Sequence, residues 1–387
     1  MRRLFLHIGS HKTGTTSVQE TFHANKATLL QRGLAVAEGD RLPNLHQFFD
    51  YVDPGAILPR GFKAQNPTKL AEVLAAEPAD QVFGSSENFS FFFHQASVDA
   101  LAKALKARFD DIRIIVYLRR QDRHAISHHQ EGARPERKPE GLLWGHALTA
   151  LPEPAPQQRL YLDYNQRLTL WENAFGRDAL LVRVFDRSLL RDGDIVPDIL
   201  FLMGLYVEGL ERVPDSNISL GRLKATAGHL ANLVVDDALV TRKLLRALPD
   251  RDDRMTPSAV EAEAFLAPYR DSNRRLNDRL KITGFPDLFP DLFPDDFSDY
   301  PDAASQDLTP VDALTGLRAA IAALGPGWSF LTAVTPNDLR LAALALQNDA
   351  PDAALRLIHA AAVLRPTGPA ILKLLADLEA KKAKPAK

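Results

Sequence analysis

A glycine-framed segment near the beginning of the chain contains residue types that bind anions. Residues 9–16 read Gly-Ser-His-Lys-Thr-Gly-Thr-Thr. They follow the short apolar stretch 4–8 and lead into a stretch of helical period, 15–30. A glycine-rich turn between a strand and a helix directs several backbone N–H groups at one point, and the helix N-terminus adds partial positive charge there. The segment therefore predicts a phosphate-binding loop.

The lysine of this loop has an unusual position. In the loop that binds nucleoside triphosphates, G-x-x-x-x-G-K-[ST], lysine follows the second glycine directly. Here Gly9 and Gly14 keep that spacing, but Thr15 occupies the lysine position and the lysine lies inside the loop, at Lys12. The displaced charge predicts a ligand other than ATP or GTP bound with magnesium. The residues predicted to contact this ligand are Ser10, His11, Lys12, Thr13, Gly14, Thr15 and Thr16.

A second pattern, further along the chain, combines arginine and serine. The apolar stretch 112–118 predicts a buried strand, and Arg119 stands at its carboxyl end. Ser127 falls within the helix that is predicted to follow. A guanidinium at a strand end and a hydroxyl on the next helix suit a second phosphate group. Surface arginines are common, so this pattern becomes informative only together with the first loop.

Together the two patterns resemble the sulfotransferase superfamily that uses 3′-phosphoadenosine 5′-phosphosulfate. In that family a loop with an internal lysine holds the 5′-phosphosulfate, and a strand followed by L-R-x-P-x-x-R-x-x-S holds the 3′-phosphate. Arg119 and Ser127 match the second motif, Gln121 replaces its proline, and the counterpart of its second arginine, Arg123, stands one position earlier than the motif has it. The resemblance is nearest to bacterial and glycosaminoglycan-type carbohydrate sulfotransferases, and it covers roughly residues 1–210.

This resemblance implies a reaction and a role for each residue. A sulfuryl group would pass from the donor nucleotide to a hydroxyl of a carbohydrate or other acceptor, with no metal. Glu87, after the predicted strand 81–85, matches the family's general base; the alternative is a helix-capping or salt-bridged carboxylate. Lys12 would stabilise the departing phosphate oxygen, and His46 is the second candidate for the base or a substrate contact. Because ligands of parallel sheets bind beyond the carboxyl ends of the strands, the loop, Glu87 and Arg119 are expected to converge.

The composition is that of a soluble globular protein and argues against several other classes. The 387 residues carry a formal net charge of -2, which predicts no general attraction to nucleic acid. No apolar run reaches the roughly 20 residues of a membrane-spanning helix, and Met1–Leu6 is too short for a secretory signal. The absence of cysteine excludes disulfides and thiolate metal sites. The sequence also lacks the H-E-x-x-H motif that would indicate a catalytic metal. We therefore expect a cytoplasmic protein without a transmembrane segment.

Short apolar runs alternate with helical periods through about residue 210, which predicts a mostly parallel sheet with helices on both faces. The predicted strands are 3–8, 34–37, 81–85, 112–118 and 179–185. The predicted helices are 15–30, 67–76, 97–108, 123–131, 160–175 and 195–205. Asn66 and Pro67 have the types expected at a helix N-cap and first turn. The class is thus α/β, with a P-loop-like sheet.

The second half of the chain is predicted to be largely helical, at 220–248 and 258–282. Residues 285–297 then repeat Phe-Pro-Asp, and because proline at this frequency forbids a helix, we expect an extended strap on the core. Three short helices of tetratricopeptide type are predicted near the end, at 337–347, 351–364 and 369–382. The predicted domains are 1–284 for the sheet domain, 285–309 for the strap and 310–387 for a helical appendage.

Two other functions remain open from the sequence. A nucleotide kinase on the same scaffold would bind ATP with magnesium, and Thr15 in the lysine position argues against it. A degenerate nucleotide-binding scaffold would instead recruit a protein partner through its C-terminal helices, which otherwise form a cap on the main domain. The joint presence of Lys12, Arg119 and Ser127 favours the enzyme.

Overall fold

A computed structural model describes most of the chain. The described residues are 1–39, 44–52, 61–135, 145, 147–213, 220–234, 238–249, 254–282, 292–302, 335–348 and 351–382. The chain divides into two compact units. The sheet unit comprises residues 1–128, 154–218 and 262–297, and the helical unit comprises residues 129–153, 219–261 and 298–387.

A five-stranded parallel sheet forms the centre of the sheet unit. The strands among the described residues are β1 (Arg3–His7), β2 (Leu34–Val36), β3 (Phe49–Val52), β4 (Gly61–Ala64), β5 (Gln81–Ser85), β6 (Asp111–Leu118) and β7 (Leu180–Val184). Their order in the sheet is β2-β5-β1-β6-β7, and β3 pairs with β4 in a separate antiparallel pair that the sequence did not predict. Strand β1 is central, with β5 and β6 parallel on its two sides. The carboxyl ends of these three strands therefore lie side by side.

Helices cover both faces of this sheet. The helices of the sheet unit include α1 (Thr15–Ala24), α2 (Lys26–Gln31), α3 (Pro67–Ala75), α4 (Gln95–Lys106), α5 (Gln121–Glu131), α6 (Pro156–Leu162), α7 (Tyr164–Phe175) and α8 (Ile195–Leu202). The next helices along the chain are α9 (Arg222–Val234) and α10 (Ala238–Ala247) of the helical unit, then α11 (Ala259–Leu266) and α12 (Arg270–Leu280). Leu4 and Leu6 of β1 belong to an apolar layer shared with α3, α4 and α7. Phe5, which points to the opposite face, belongs to a second layer with α1 and α8. The predicted α/β class is confirmed.

Several predicted helical stretches correspond to two helices each: 15–30, 160–175, 220–248 and 258–282. The physical reason is clear for the first and the last of them. The stretch 15–30 is broken at Asn25, whose side-chain amide donates to the carbonyl oxygens of Thr21 and Glu211 at 2.8 and 2.9 Å. An asparagine that bonds the backbone in this way competes with the helical ladder. The stretch 258–282 divides into α11 and α12, because Pro268 lies in an intervening 3₁₀ turn, Ala267–Tyr269.

The described end of the Phe-Pro-Asp segment lies on the core of the sheet unit. Leu292 and Phe293 are buried in the same layer as Leu4. The guanidinium of Arg120 lies over the ring of Phe297, with its carbon 4.5 Å from the ring centroid. The remainder of the segment, 285–291, lies outside the described residues. The predicted boundaries at 284 and 309 also fall in undescribed segments, so the three-part division stays a prediction.

The end of the helical unit contains three helices, α13 (Pro336–Leu346), α14 (Pro351–Leu364) and α15 (Pro369–Lys382). They agree closely with the predicted bounds. Their apolar faces meet in a small core of alanine and leucine that includes Ala343, Ile358 and Leu374. Across the described residues of the whole chain, no helix is long and apolar enough to cross a membrane.

Candidate functional site

The loop after β1 is held by the neighbouring strand and by an unusual backbone. The amide N–H of Ser10 donates to the carbonyl oxygen of Tyr117 at 3.1 Å, and the amide of Tyr117 donates to Gly9 at 2.8 Å, so pairing with β6 continues beyond β1. Lys12 (φ 60°) and Gly14 (φ 75°) then adopt left-handed conformations. A side-chain carbon at Gly14 would also lie only 2.9 Å from Ile195. The glycine is therefore required both for its conformation and for space.

The hydroxyls of the loop differ in their surroundings. The hydroxyl oxygen of Ser10 accepts a hydrogen bond from Nη2 of Arg167 at 2.8 Å. The hydroxyl of Thr13 donates to the carbonyl oxygen of Ser10 at 2.7 Å, and both side chains are fully buried. These two residues fix the shape of the loop. Thr15 is buried and Thr16 is half-buried at the first turn of α1, where the partial positive charge of the helix begins.

Arg119, at the end of β6, reaches the loop directly. Its Nη1 donates to the carbonyl oxygen of Lys12 at 3.2 Å, so the second predicted pattern meets the first. Arg123 makes a 3.3 Å ion pair with Asp186 after β7. Burial alone would raise the pKa of Asp186, but hydrogen bonds from Ser188 and the charges of Arg123 and Arg119 lower it below its usual value. Ser127 is half-buried one helical turn beyond Arg123, on the same face of α5.

Glu87 lies at the carboxyl end of β5, beside the loop. It begins a 3₁₀ turn, Glu87–Phe91, after the N-cap residue Ser86. A side-chain carbon built at Gly9 would lie 3.4 Å from the α-carbon of Glu87, which shows how closely the two segments approach. The carboxylate accepts hydrogen bonds from Nδ2 of Asn44 at 3.0 Å and from Nε2 of Gln19 at 3.4 Å. Both donors are neutral, so a carboxylate with spare acceptor capacity stands at the edge of the loop.

A buried histidine lies beneath this carboxylate. His7 is fully buried at the end of β1, and its Nδ1 lies 3.0 Å from the hydroxyl oxygen of Ser85, its partner across the sheet. Burial lowers the pKa of His7 from its ordinary value of 6.5 to about 4, although the charge of Glu87 and the backbone at Gly9 act in the opposite direction. His7 is therefore neutral at physiological pH. Neither His7 nor Gln19 is among the site residues predicted from the sequence.

The other predicted base, His46, is placed differently. It begins a 3₁₀ turn, His46–Phe48, and its side chain is exposed. The residue of this segment that contacts Glu87 is Asn44, two positions earlier. Asparagine is common in loops, and nothing in its sequence surroundings distinguishes it. His46 stays a predicted substrate contact or second base.

Two helices that carry no recognisable motif also contribute to the loop. Tyr161, on α6, accepts a hydrogen bond at 3.2 Å from the backbone N–H of His11. The ring of His11 stacks on that of His128 at 5.4 Å and contacts Phe91 at 4.7 Å. Through the contacts of Tyr161 with His11 and of Arg167 with Ser10, α6 and α7 support the loop. A buried tyrosine and arginine in amphipathic helices give no signal that sequence analysis can separate from ordinary core packing.

The chain has partial similarities to known proteins. No family model matches the chain. An uncharacterized protein from Archaeoglobus fulgidus is 28% identical over 124 residues, which span 30% of this chain and 34% of that protein. The crystal structure of a sulfotransferase from Alicyclobacillus acidocaldarius is similar over 73% of this chain and 97% of its own, with 16% identity and a TM-score of 0.39. The matched region is therefore about a third of the length of the curated relative.

Proposed function

We propose that the protein is a sulfotransferase that uses 3′-phosphoadenosine 5′-phosphosulfate as its donor. The observation that carries this proposal is the hydrogen bond from Arg119 to the carbonyl oxygen of Lys12. It joins the two segments that were predicted separately to bind the two phosphate groups of one nucleotide. A triphosphate loop would need lysine at position 15, where this chain has threonine.

The residues at this edge fit a ligand that carries two separated phosphate groups. The loop and the first turn of α1 supply N–H groups, hydroxyls and the ammonium of Lys12 for one of them. Arg119, Arg123 and Ser127 supply cationic and hydroxyl donors for the other. Asp186 offsets part of the positive charge of Arg123, so this second group of donors is not uniformly cationic.

The proposed reaction moves a sulfuryl group from a phosphate oxygen to a hydroxyl oxygen of the acceptor, and the bound donor supplies that activated group. As the new S–O bond forms and the old one breaks, the acceptor proton passes to the carboxylate of Glu87. The negative charge that appears on the departing phosphate oxygen is stabilised by Lys12 and the loop N–H groups, which are fixed in advance. In nucleotide kinases magnesium provides much of this stabilisation; here we assign it to Lys12 and the N–H groups of the loop.

Calorimetry tests the donor assignment most directly. We expect adenosine 3′,5′-bisphosphate to bind the wild-type protein in the presence of EDTA, and ATP with magnesium to bind far more weakly. Lys12→Ala should reduce affinity about 10- to 100-fold, the effect of one hydrogen bond to a charged group. Lys26→Ala is the matched control, because Lys26 pairs with Glu38 on the exposed surface. Failure of the wild-type protein to bind the bisphosphate would refute the proposal, and tight binding of magnesium–ATP would favour a kinase.

The acceptor is proposed to be a carbohydrate or glycoconjugate, by resemblance to the family named above. The test is incubation of the protein with a donor that carries labelled sulfate and an extract of cell-surface glycans, followed by identification of the labelled product. Label on a glycan hydroxyl would support the assignment. If label appears only on small alcohols that are tested in parallel, the acceptor is a small alcohol and not a glycan.

A further inference from the structure

Arg167, on α7, is a cation in the interior of the sheet unit. It is 2% exposed, and its Nη2 donates to the hydroxyl oxygen of Ser10 in the phosphate-binding loop at 2.8 Å. The carbon of its guanidinium lies 4.8 Å from the ring centroid of Tyr161 and 5.1 Å from that of Tyr164. The hydroxyl of Tyr161 is a further hydrogen-bond partner of the guanidinium. All of these partners are neutral groups.

Other buried arginines of the sheet unit have a different kind of partner. Arg120 is paired with the buried Asp122 at 2.9 Å, and Arg183 is paired with the buried Asp198. Arg167 is buried at least as deeply, yet it makes no ion pair with a carboxylate in the part of the chain that the structure describes. The fold therefore provides a counter-charge for two of these arginines and leaves the arginine behind the loop without one.

An unpaired charge in the interior is costly, and arginine cannot avoid this cost. A buried lysine or histidine can release its proton, whereas a guanidinium stays charged. The ring faces of Tyr161 and Tyr164 offset part of the cost by cation–π interaction. The rings do not neutralise the charge, so positive potential remains behind the loop.

The neighbouring titratable groups respond to this potential. Burial lowers the pKa of His124 well below its ordinary value, and nearby cations, Arg167 and Arg119 among them, act in the same direction. Burial raises the pKa of Tyr161, and the charge of Arg167 opposes this rise. The charge of Glu87 also acts on Tyr161, but less than the charge of Arg167 does. The interior behind the loop is therefore positive before a ligand binds.

We propose that Arg167 is the buried counter-charge of the anion that the loop binds, and that it acts on this anion from behind the loop, through Ser10. Lys12 and the backbone N–H groups contact the anion directly, whereas Arg167 is a positioning residue that adds fixed positive charge. Its charge acts strongly because the surrounding interior has a low dielectric constant. The assignment of the anion as the donor's 5′-phosphate group rests on the proposed function.

Two substitutions separate the charge of Arg167 from its hydrogen bond. Lysine and glutamine are both shorter than arginine and both carry N–H donors, but only lysine is charged. In calorimetry, Arg167→Gln should lower the affinity for adenosine 3′,5′-bisphosphate about 10- to 50-fold, the effect of one nearby charge at the effective dielectric constant of a protein site. Arg167→Lys should retain most of the affinity. Equal losses in the two variants would overturn the proposal, because only the shape of the arginine would then matter.

Urea denaturation distinguishes this role from a purely structural one. A structural role would make Arg167→Gln less stable than the wild-type protein by the same amount with and without the bisphosphate. A counter-charge makes the deficit larger when the ligand is present, because a ligand stabilises a protein according to its affinity. Arg108→Gln is the matched control, since it removes the same charge from an exposed pair with Glu72 and should leave affinity unchanged. An equal deficit in both conditions would overturn the proposal.

The wild-type protein provides a test that does not depend on the folding of a variant. Inorganic phosphate at low concentration, where its general salting-out effect is small, should raise the midpoint of urea denaturation. Chloride at the same ionic strength should raise it less, because it cannot occupy the N–H groups of the loop as phosphate does. Equal effects of the two salts would show that the loop binds no anion for Arg167 to pair with, and would overturn the proposal.

The outcomes separate this inference from the proposed function. If phosphate stabilises the wild-type protein but not Arg167→Gln, and the bisphosphate binds no more tightly than phosphate, the counter-charge is established and the donor assignment fails. If the bisphosphate binds the wild-type protein and Arg167→Gln equally well, the counter-charge is refuted and the donor assignment survives.

Discussion

Two carboxylates of the sheet unit have opposite surroundings. Asp198, on α8, is fully buried and accepts hydrogen bonds from the hydroxyl of Tyr117 at 2.7 Å and from Nε of Arg183 at 3.0 Å. The backbone N–H of Arg191 adds a third donor at 3.0 Å. Glu87 is half-buried, and its donors among the described residues are two neutral amides. The charge of Asp198 is matched by the guanidinium of Arg183, whereas no ion pair of Glu87 is seen within the described part of the chain.

This difference separates a structural carboxylate from one that can take part in chemistry. A buried carboxylate that is fully paired holds its neighbours together but offers no acceptor to a substrate. A carboxylate at the edge of an anion-binding loop, held by amides alone, keeps acceptor sites for a proton. The comparison therefore predicts that substitution of Asp198 affects folding and substitution of Glu87 affects turnover.

The largest expected effect is the loss of turnover in the variant Glu87→Gln. Loss of a general base typically lowers turnover about 10²- to 10⁴-fold. Glutamine keeps an oxygen that can accept from Asn44, so the free energy of unfolding should change by less than about 1 kcal/mol. The measurements are labelled-sulfate transfer and urea denaturation of the same preparation. Full activity in this variant would place the base elsewhere and remove the contrast with Asp198.

Asp198→Asn should show the reverse behaviour. Removal of one partner from a buried ion pair leaves the other charge uncompensated and costs about 3–5 kcal/mol. Arg183 is almost fully buried, so this cost applies here. Asp271→Asn is the control, because Asp271 forms an exposed pair with Arg274 and should change stability by no more than about 1 kcal/mol. Equal losses in the two variants would show that Asp198 is not the structural carboxylate that its contacts indicate.

His7, which interacts with the charge of Glu87, makes the stability of the folded protein depend on pH. Its pKa is lowered from 6.5 to about 4 in the folded protein. Above pH 6.5 both states are neutral, whereas between 6.5 and about 4 the unfolded state binds more protons, so stability falls as the pH falls through that window. Each unit of pKa is worth about 1.4 kcal/mol, and the total loss is therefore about 3 kcal/mol.

Denaturation at several pH values tests this, and His7→Gln should have a smaller slope than the wild-type protein between pH 6.5 and 4. His124, whose pKa is also lowered by burial, contributes in the same direction and keeps some slope in the variant. An identical slope in the two proteins would mean that the pKa of His7 is the same in the folded and unfolded states, which would contradict the lowered pKa.

The residues at the edge of the sheet near Glu87 could be predicted from the sequence, whereas most of the residues that support them could not. The loop, Glu87 and Arg119 could be placed together because strand ends of a parallel sheet share one edge, and the motif spacing marks which ends matter. The helix start at Asn66 was also foreseeable, and the Asn66 side chain does accept from the N–H of Lys69. These features depend on local chemistry or on one general rule of topology.

The supporting residues depend on how distant segments meet, and no local pattern shows this. Arg167 is 157 positions from Ser10, and Asn44 is 43 positions from Glu87. Asp198 does carry a local signal in the sequence. It is an acidic residue inside the apolar helix Ile195–Leu202, where an unpaired charge would be costly, so a buried cationic partner was to be expected.

The smallest expected effect distinguishes two neighbours in one segment. Asn44 donates to Glu87, so Asn44→Ala should lower turnover by about two- to tenfold, the worth of a typical hydrogen bond. His46 is exposed and should tolerate alanine with less than a twofold change, unless it contacts the acceptor as the sequence suggests. Steady-state kinetics resolves the cases, because loss of an acceptor contact raises KM at constant kcat, whereas misplacement of the base lowers kcat. A fall in kcat for His46→Ala as large as that for Glu87→Gln would transfer the base to His46, since an exposed histidine that only contacts substrate cannot have that effect.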